Sequence, residues 1–102
     1  MILHFRATVP DVHGTFAARR AEKVFQRLDR NSQDRVRESL RNLVDYYDGE
    51  SENPPDVKHL HGKYRGLFRL RVGNLRIIFK VERDRLVIIV IDIVSRGDAY
   101  RN

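Results

Sequence analysis

The chain contains no cysteine in 102 residues. That excludes disulfides, thiolate nucleophiles and cysteine-ligated zinc, and it accords with a reducing compartment. The longest apolar run, residues 86–91, falls far short of the roughly 20 residues needed to span a bilayer. The opening stretch MILHFRATVP has neither the basic start nor the apolar core of a signal peptide. Low-complexity tracts, internal repeats, a glycine-rich phosphate loop, paired carboxylates and a nucleophile elbow are all missing from the sequence. These absences lead us to expect a soluble cytoplasmic protein with no membrane contact, no cofactor and no metal.

What the chain does have is positive charge. Lys and Arg number 20 against 14 Asp and Glu, a net +6, and the sequence pI is about 10.2. Lysine occurs only at 23, 58, 63 and 80, so the remaining sixteen cations are arginine. Arginine presents a planar fork of donors that grips phosphate with two bonds. The balance favours an anionic partner, nucleic acid above all, over a generic basic surface. A length of 102 residues with 41% hydrophobic content allows one domain, spanning 1–102, with one modest core.

Periodicity predicts the order β-α-α-β-β-β. Residues 2–9 read as a first strand, and Pro10-Asp11 as the start of a helix running to about Leu28 with apolar positions Phe16, Ala17, Ala21, Val24 and Phe25. A second helix is expected to begin at Asn31 or Ser32, with Val36, Leu40, Leu43, Val44 and Tyr47 as its apolar stripe. The short link DRNS implies an antiparallel helical hairpin. After the loop GESENPP, strands are predicted at 67–72, 75–82 and 86–94, with Arg83-Asp84 as a turn. The last strand, LVIIVIDIV, is apolar on both faces and reads as central, so its phase cannot be taken from alternation, and Asp92 within it receives no role. The predicted fold class is α+β, a helical hairpin packed on one face of a small, mostly antiparallel sheet.

The stretch LFRLRVGNLRIIF carries the sharpest signal. Phe68, Leu70 and Val72 alternate with Arg69 and Arg71, and Gly73-Asn74 suits a two-residue hairpin loop. That loop sets Arg71 directly opposite Arg76, where like charges destabilise a sheet. Two arginines on a half-exposed strand need no explanation, but a third registered against them does. A bound phosphate converts this repulsion into attraction. The three are therefore expected to line a solvent-facing surface of the sheet.

Two further features are weaker. The tail VSRGDAYRN adds Arg96, Arg101 and the hydroxyl of Tyr100, and it also reads as an ordinary solubilising terminus. In KHLHGKY, His59 and His61 would share one face if extended, yet two histidines do not make a zinc site, and exposed loop histidines are the simpler reading.

Taken together, PPDVKHLHGKYRGLFRLRVGNLRIIFKV and SRGDAYR resemble the RelE/ParE superfamily of toxins from toxin–antitoxin pairs, and the RelE branch most. The resemblance is strong over about 54–101, looser through the helices and poor over 1–16. It implies a ribosome-dependent endoribonuclease that cuts messenger RNA in the decoding site and inhibits translation. The chemistry implied is attack of the RNA 2′-hydroxyl on the adjacent phosphate without a metal. It further implies that Arg76 holds the scissile phosphate, that Arg96 stabilises the leaving oxygen and that Tyr100 serves as general base. Arg69 and Arg71 then bind substrate phosphate, as do Lys58, His59, His61 and Arg101 in the basic loop and tail. A cognate antitoxin, the ribosome and messenger RNA are the implied partners. Ser95 stands where many relatives have histidine, which removes an imidazole acid or base. Arginine gives up its proton too reluctantly for proton transfer, so the trio suits electrostatic stabilisation. The alternatives left open are a ParE-like inhibitor of DNA gyrase without nuclease activity and a member that is not toxic.

Overall fold

The computed structural model describes residues 5–8, 14–82 and 87–95. Among these, six strands form one sheet and two helices pack against it. The strands are β1 (Phe5–Thr8), β2 (Thr15–Ala18), β3 (Val57–His59), β4 (Phe68–Val72), β5 (Leu75–Glu82) and β6 (Val87–Ser95). The helices are α1 (Arg19–Arg27) and α2 (Arg30–Tyr47). In space the strands lie in the order β1-β2-β6-β5-β4-β3. Only the β2–β6 pair is parallel, so the expected α+β class with a mostly antiparallel sheet is found, enlarged by two strands.

The first helix departs most from expectation. It begins at Arg19, because residues 15–18 pair with β6 instead, Thr15 with Ile88, Phe16 with Ile89 and Ala17 with Val90. Over four residues a strand and a helical turn cannot be distinguished by spacing, and the pairing partner lies some 70 residues away. Gly14, at φ 77°, takes a left-handed conformation just before β2. The predicted helix start at Pro10-Asp11 and the turn at Arg83-Asp84 lie outside the described residues.

The second helix starts one or two residues earlier than its serine and asparagine suggested. Asp29 is the cap, its carboxylate accepting from the Ser32 backbone N–H at 2.8 Å. Hydrogen bonding from Ser32, its side chain first and its backbone N–H second, holds the carboxyl below its usual pKa. Val36, Leu40, Leu43 and Val44 are buried as the stripe required. Tyr47 is not, being 43% exposed beside Tyr46 at the end of the helix. The two helices are joined through the Gln33 side-chain amide, which donates to the Phe25 carbonyl at 2.8 Å, and through the Arg37 guanidinium, 5.5 Å from the Phe25 ring centroid.

The core lies between α1, α2 and one sheet face, where Leu70, Val72, Ile77, Phe79, Ile88, Val90 and Ile93 meet Ala21, Val36, Leu40 and Leu43. Strand β6 is central, as its apolar sequence implied. Its phase was illegible because it carries a bulge: Ile78 pairs with Asp92 but Phe79 with Val90, leaving Ile91 as the extra residue. Ile88 and Val90 thus share a face with Ile93 across an odd spacing. At the bulge, Asp92 accepts from the Ile93 N–H at 2.9 Å and pairs with Arg20 of α1 at 3.1 Å. An acid unexplained by sequence therefore ties the start of α1 to the central strand.

Candidate phosphate-binding cleft

The β4–β5 hairpin has the register its sequence required. Val72 pairs with Leu75 and Arg71 with Arg76, and Gly73 at φ 58° turns the chain between them. Phe68, Leu70 and Val72 face the helices, so alternation sends Arg69, Arg71 and Arg76 to the opposite, open face. Beside them, β3 adds an edge strand that the spacing does not predict. It pairs Lys58 with Arg69 and so places Lys58 on that same face.

Here a cleft of about 460 Å³ is lined by Arg69, Arg71 and Arg76 on one side and by residues 58–64 on the other. Four of those seven residues are lysine or histidine, and among the described residues no carboxylate lines the cleft. Arg71 is exposed and Arg76 half-buried. The Arg76 Nη1 donates to the carbonyls of Leu75 at 3.2 Å and Gly73 at 3.4 Å, which folds the guanidinium over the turn. No ion-pair partner of Arg71 or Arg76 is found among the described residues. A group of donors of one charge with no counter-charge suits an anion.

The expected solvent-facing trio is corrected in one member. Arg69 is only 7% exposed, because its row of the sheet is flanked by Lys58 and by the buried Ile78. Its Nη1 pairs with Asp56 at 3.3 Å. Arg69 thus forms the floor of the cleft with its charge already engaged, while Arg71 and Arg76 are the available pair. Both histidines are exposed. His59 ends β3 with its ring 4.5 Å from Phe68, on the side opposite Lys58, while His61 lies beyond the strand at the mouth of the one-turn 3-10 helix Gly62–Tyr64. Both border the cleft, but they are not a pair on one extended face. Arg96, Tyr100 and Arg101 lie outside the described residues. Strand β6 ends at Ser95, which pairs with Leu75, one residue from Arg76.

One cation escaped the sequence reading. A Cβ built on Gly73 would stand 3.2 Å from Arg35 Nη2 and 3.4 Å from its Cζ, so this α2 guanidinium lies against the hairpin turn. Arg35 and Arg71 together border a second hollow of about 360 Å³. Its two acids are occupied elsewhere on α2, Asp34 with Arg37 and Glu38 with Arg41. No local signal marks Arg35, since its contact spans 38 positions of sequence. Among the described residues, no group of three histidines or carboxylates is placed to hold a metal ion.

Comparison with known proteins adds the following. A family model described as the ParE toxin of type II toxin–antitoxin systems, parDE, matches residues 16–100. The chain is similar to the archaeal RelE–RelB complex of Pyrococcus horikoshii OT3, with 29% identity and TM-score 0.61 over 81% of this chain and 93% of that one. The RelB–RelE antitoxin–toxin complex of Methanococcus jannaschii aligns with 23% identity and TM-score 0.61 over 82% and 93%. The RelBE2 toxin–antitoxin complex of Mycobacterium tuberculosis aligns with 18% identity and TM-score 0.52 over 80% and 95%. At these identities the last two bear on the fold alone. No curated protein matches the chain.

Proposed function

The chain belongs to the ParE toxin family of type II toxin–antitoxin systems, within the RelE/ParE superfamily, and on that footing we propose that it is a messenger RNA endoribonuclease acting at the ribosome. The observation that carries this reading is the Arg71–Arg76 pair in a cleft whose described lining residues include no carboxylate. Cleavage by transesterification needs little from the protein beyond position and charge, because the nucleophile is in the substrate. The 2′-oxygen bonds to the adjacent phosphorus, the bond from phosphorus to the 5′-oxygen breaks, and a 2′,3′-cyclic phosphate and a 5′-hydroxyl result. One proton leaves the 2′-hydroxyl and one is gained by the 5′-oxygen.

In this scheme Arg71 and Arg76 bond the non-bridging oxygens as negative charge accumulates on them. Arg35 adds a third cation at the hairpin tip, and Lys58 and His61 contact neighbouring phosphates. Arg69 holds the cleft floor through Asp56. The roles of Tyr100 as base and Arg96 at the leaving oxygen follow from family resemblance, as does an RNA contact by Arg101 and His59. The protein works in the cytoplasm, where translating ribosomes are, and a cognate antitoxin restrains it; the similar RelE chain of P. horikoshii was solved with RelB.

The test is to map messenger RNA 5′ ends in a translating extract. The wild type is expected to produce new ends with 5′-hydroxyls. Arg76→Ala is expected to reduce them about 100- to 1000-fold, the usual cost of one donor to a developing oxyanion, in a protein that still unfolds cooperatively. Intact ribosome-bound messenger in the presence of active wild-type protein would overturn the proposal. The ParE description of the family model favours a second reading, a gyrase inhibitor with no nuclease activity. Blocked DNA supercoiling with uncut RNA is the outcome that selects it.

A further inference from the structure

Tyr64 is an aromatic ring in the basic cleft, and neither the arginine pair nor the tail requires it. It sits at the end of the 3-10 turn Gly62–Tyr64, half-buried, with its backbone anchored at both ends. Its N–H donates to the His61 carbonyl at 3.3 Å, and its own carbonyl accepts from the Leu67 N–H at 3.0 Å. The ring is therefore held by a fixed backbone on the wall facing Arg71 and Arg76. The Lys63 ammonium stands 5.3 Å from the ring centroid, and Lys63 itself is exposed. That ring face is thus covered by a solvated, displaceable cation and not by core.

We propose that Tyr64 is a stacking platform for one nucleobase of the bound strand, with Lys63 moving from the ring to that nucleotide's phosphate; this rests on the RNA reading of the cleft. Single-stranded nucleic acid is held by a positive groove that follows the backbone and by aromatic side chains that carry the bases. The cleft supplies the groove through Lys58, Arg71 and Arg76 and, among its described lining residues, one planar carbocycle, Tyr64. A stacked base would fix the strand's register against the arginine pair, so this residue would influence which phosphate is cut.

Binding of two fluorescent 2′-O-methyl RNA pentanucleotides, which cannot undergo the cleavage reaction, tests the assignment. One is oligoadenylate and the other has the same backbone with abasic positions. Wild-type protein and Tyr64→Phe are expected to bind the adenylate at least about 10-fold more tightly than the abasic strand, a typical effect of one stacked base. Tyr64→Leu is expected to bind both equally, at the abasic level. The abasic strand probes the wild type itself, so the test stands even if Tyr64→Leu folds poorly. Equal binding of the two strands by wild type, adenylate binding undiminished in a folded Tyr64→Leu, or no binding of either strand would each overturn the assignment. Failure of the nuclease reading looks different: base-dependent binding with no messenger cleavage in extract.

Discussion

Arg69 and Arg71 stand two residues apart on one strand and face, yet the sheet gives them different physical states. Arg71 lies near the free end of the hairpin and keeps its charge exposed, whereas Arg69 lies between two neighbouring strands and shares its charge with Asp56. A buried guanidinium deprived of its donors' place in the structure costs stability, while an exposed one costs function. Arg69→Met is therefore expected to lower the unfolding free energy by about 1–3 kcal/mol, the usual penalty for breaking a partly buried charged hydrogen bond. Urea denaturation measures it. Arg71→Ala should leave the same curve nearly unmoved. Equal stability effects at the two positions would contradict the assignment of floor and binding pair.

At the scale of elements, the cap of α2 and the turn of the hairpin decide how the cleft is assembled. Asp29 receives the Ser32 N–H, and hydrogen bonding from the Ser32 side chain and then its backbone holds the carboxyl below the ordinary carboxylate value of 3.8. A depressed folded-state pKa means stability that is present above the unfolded value and lost as pH falls through the folded one. Asp29→Ala is thus expected to melt at a lower temperature than wild type near neutral pH. The difference should shrink once pH drops below about 3.8, as thermal melts across pH 2–7 would register. Gly73 occupies the left-handed region and has Arg35 packed against it. Gly73→Ala is expected to cost roughly 1–2 kcal/mol from the backbone alone, and the new methyl must also push Arg35 off the turn. Chemical denaturation gives the first effect, and weakened RNA binding gives the second.

For the whole molecule the governing quantity is a net charge of +6, to which the lysines and arginines of the cleft contribute. Binding to single-stranded RNA should weaken with salt along a slope of about −0.7 per phosphate neutralised. Arg71→Ala is expected to make the plot of log affinity against log salt shallower by about 0.7, one phosphate's share. A distant cation such as Lys23 on α1 should shift the plot little. Anisotropy titrations between low and physiological salt distinguish these cases.

Much of this was legible in the residues. The 2-fold alternation of β4, the Gly73-Asn74 turn and the resulting Arg71–Arg76 registry are local facts, settled within nine residues of chain, and they reappear unchanged. So is the buried stripe of α2, because helical periodicity depends only on near neighbours. Tertiary structure alone decided that Thr15–Ala18 is a strand, that Arg69 is buried and that Arg35 leans on the hairpin turn. Each depends on groups brought together from distant positions, β2 with β6, β4 between β3 and β5, α2 over Gly73, and local pattern carries no information about such distances. The sequence by itself determined that three arginines share a face; the fold determined which two of them are free to meet an anion.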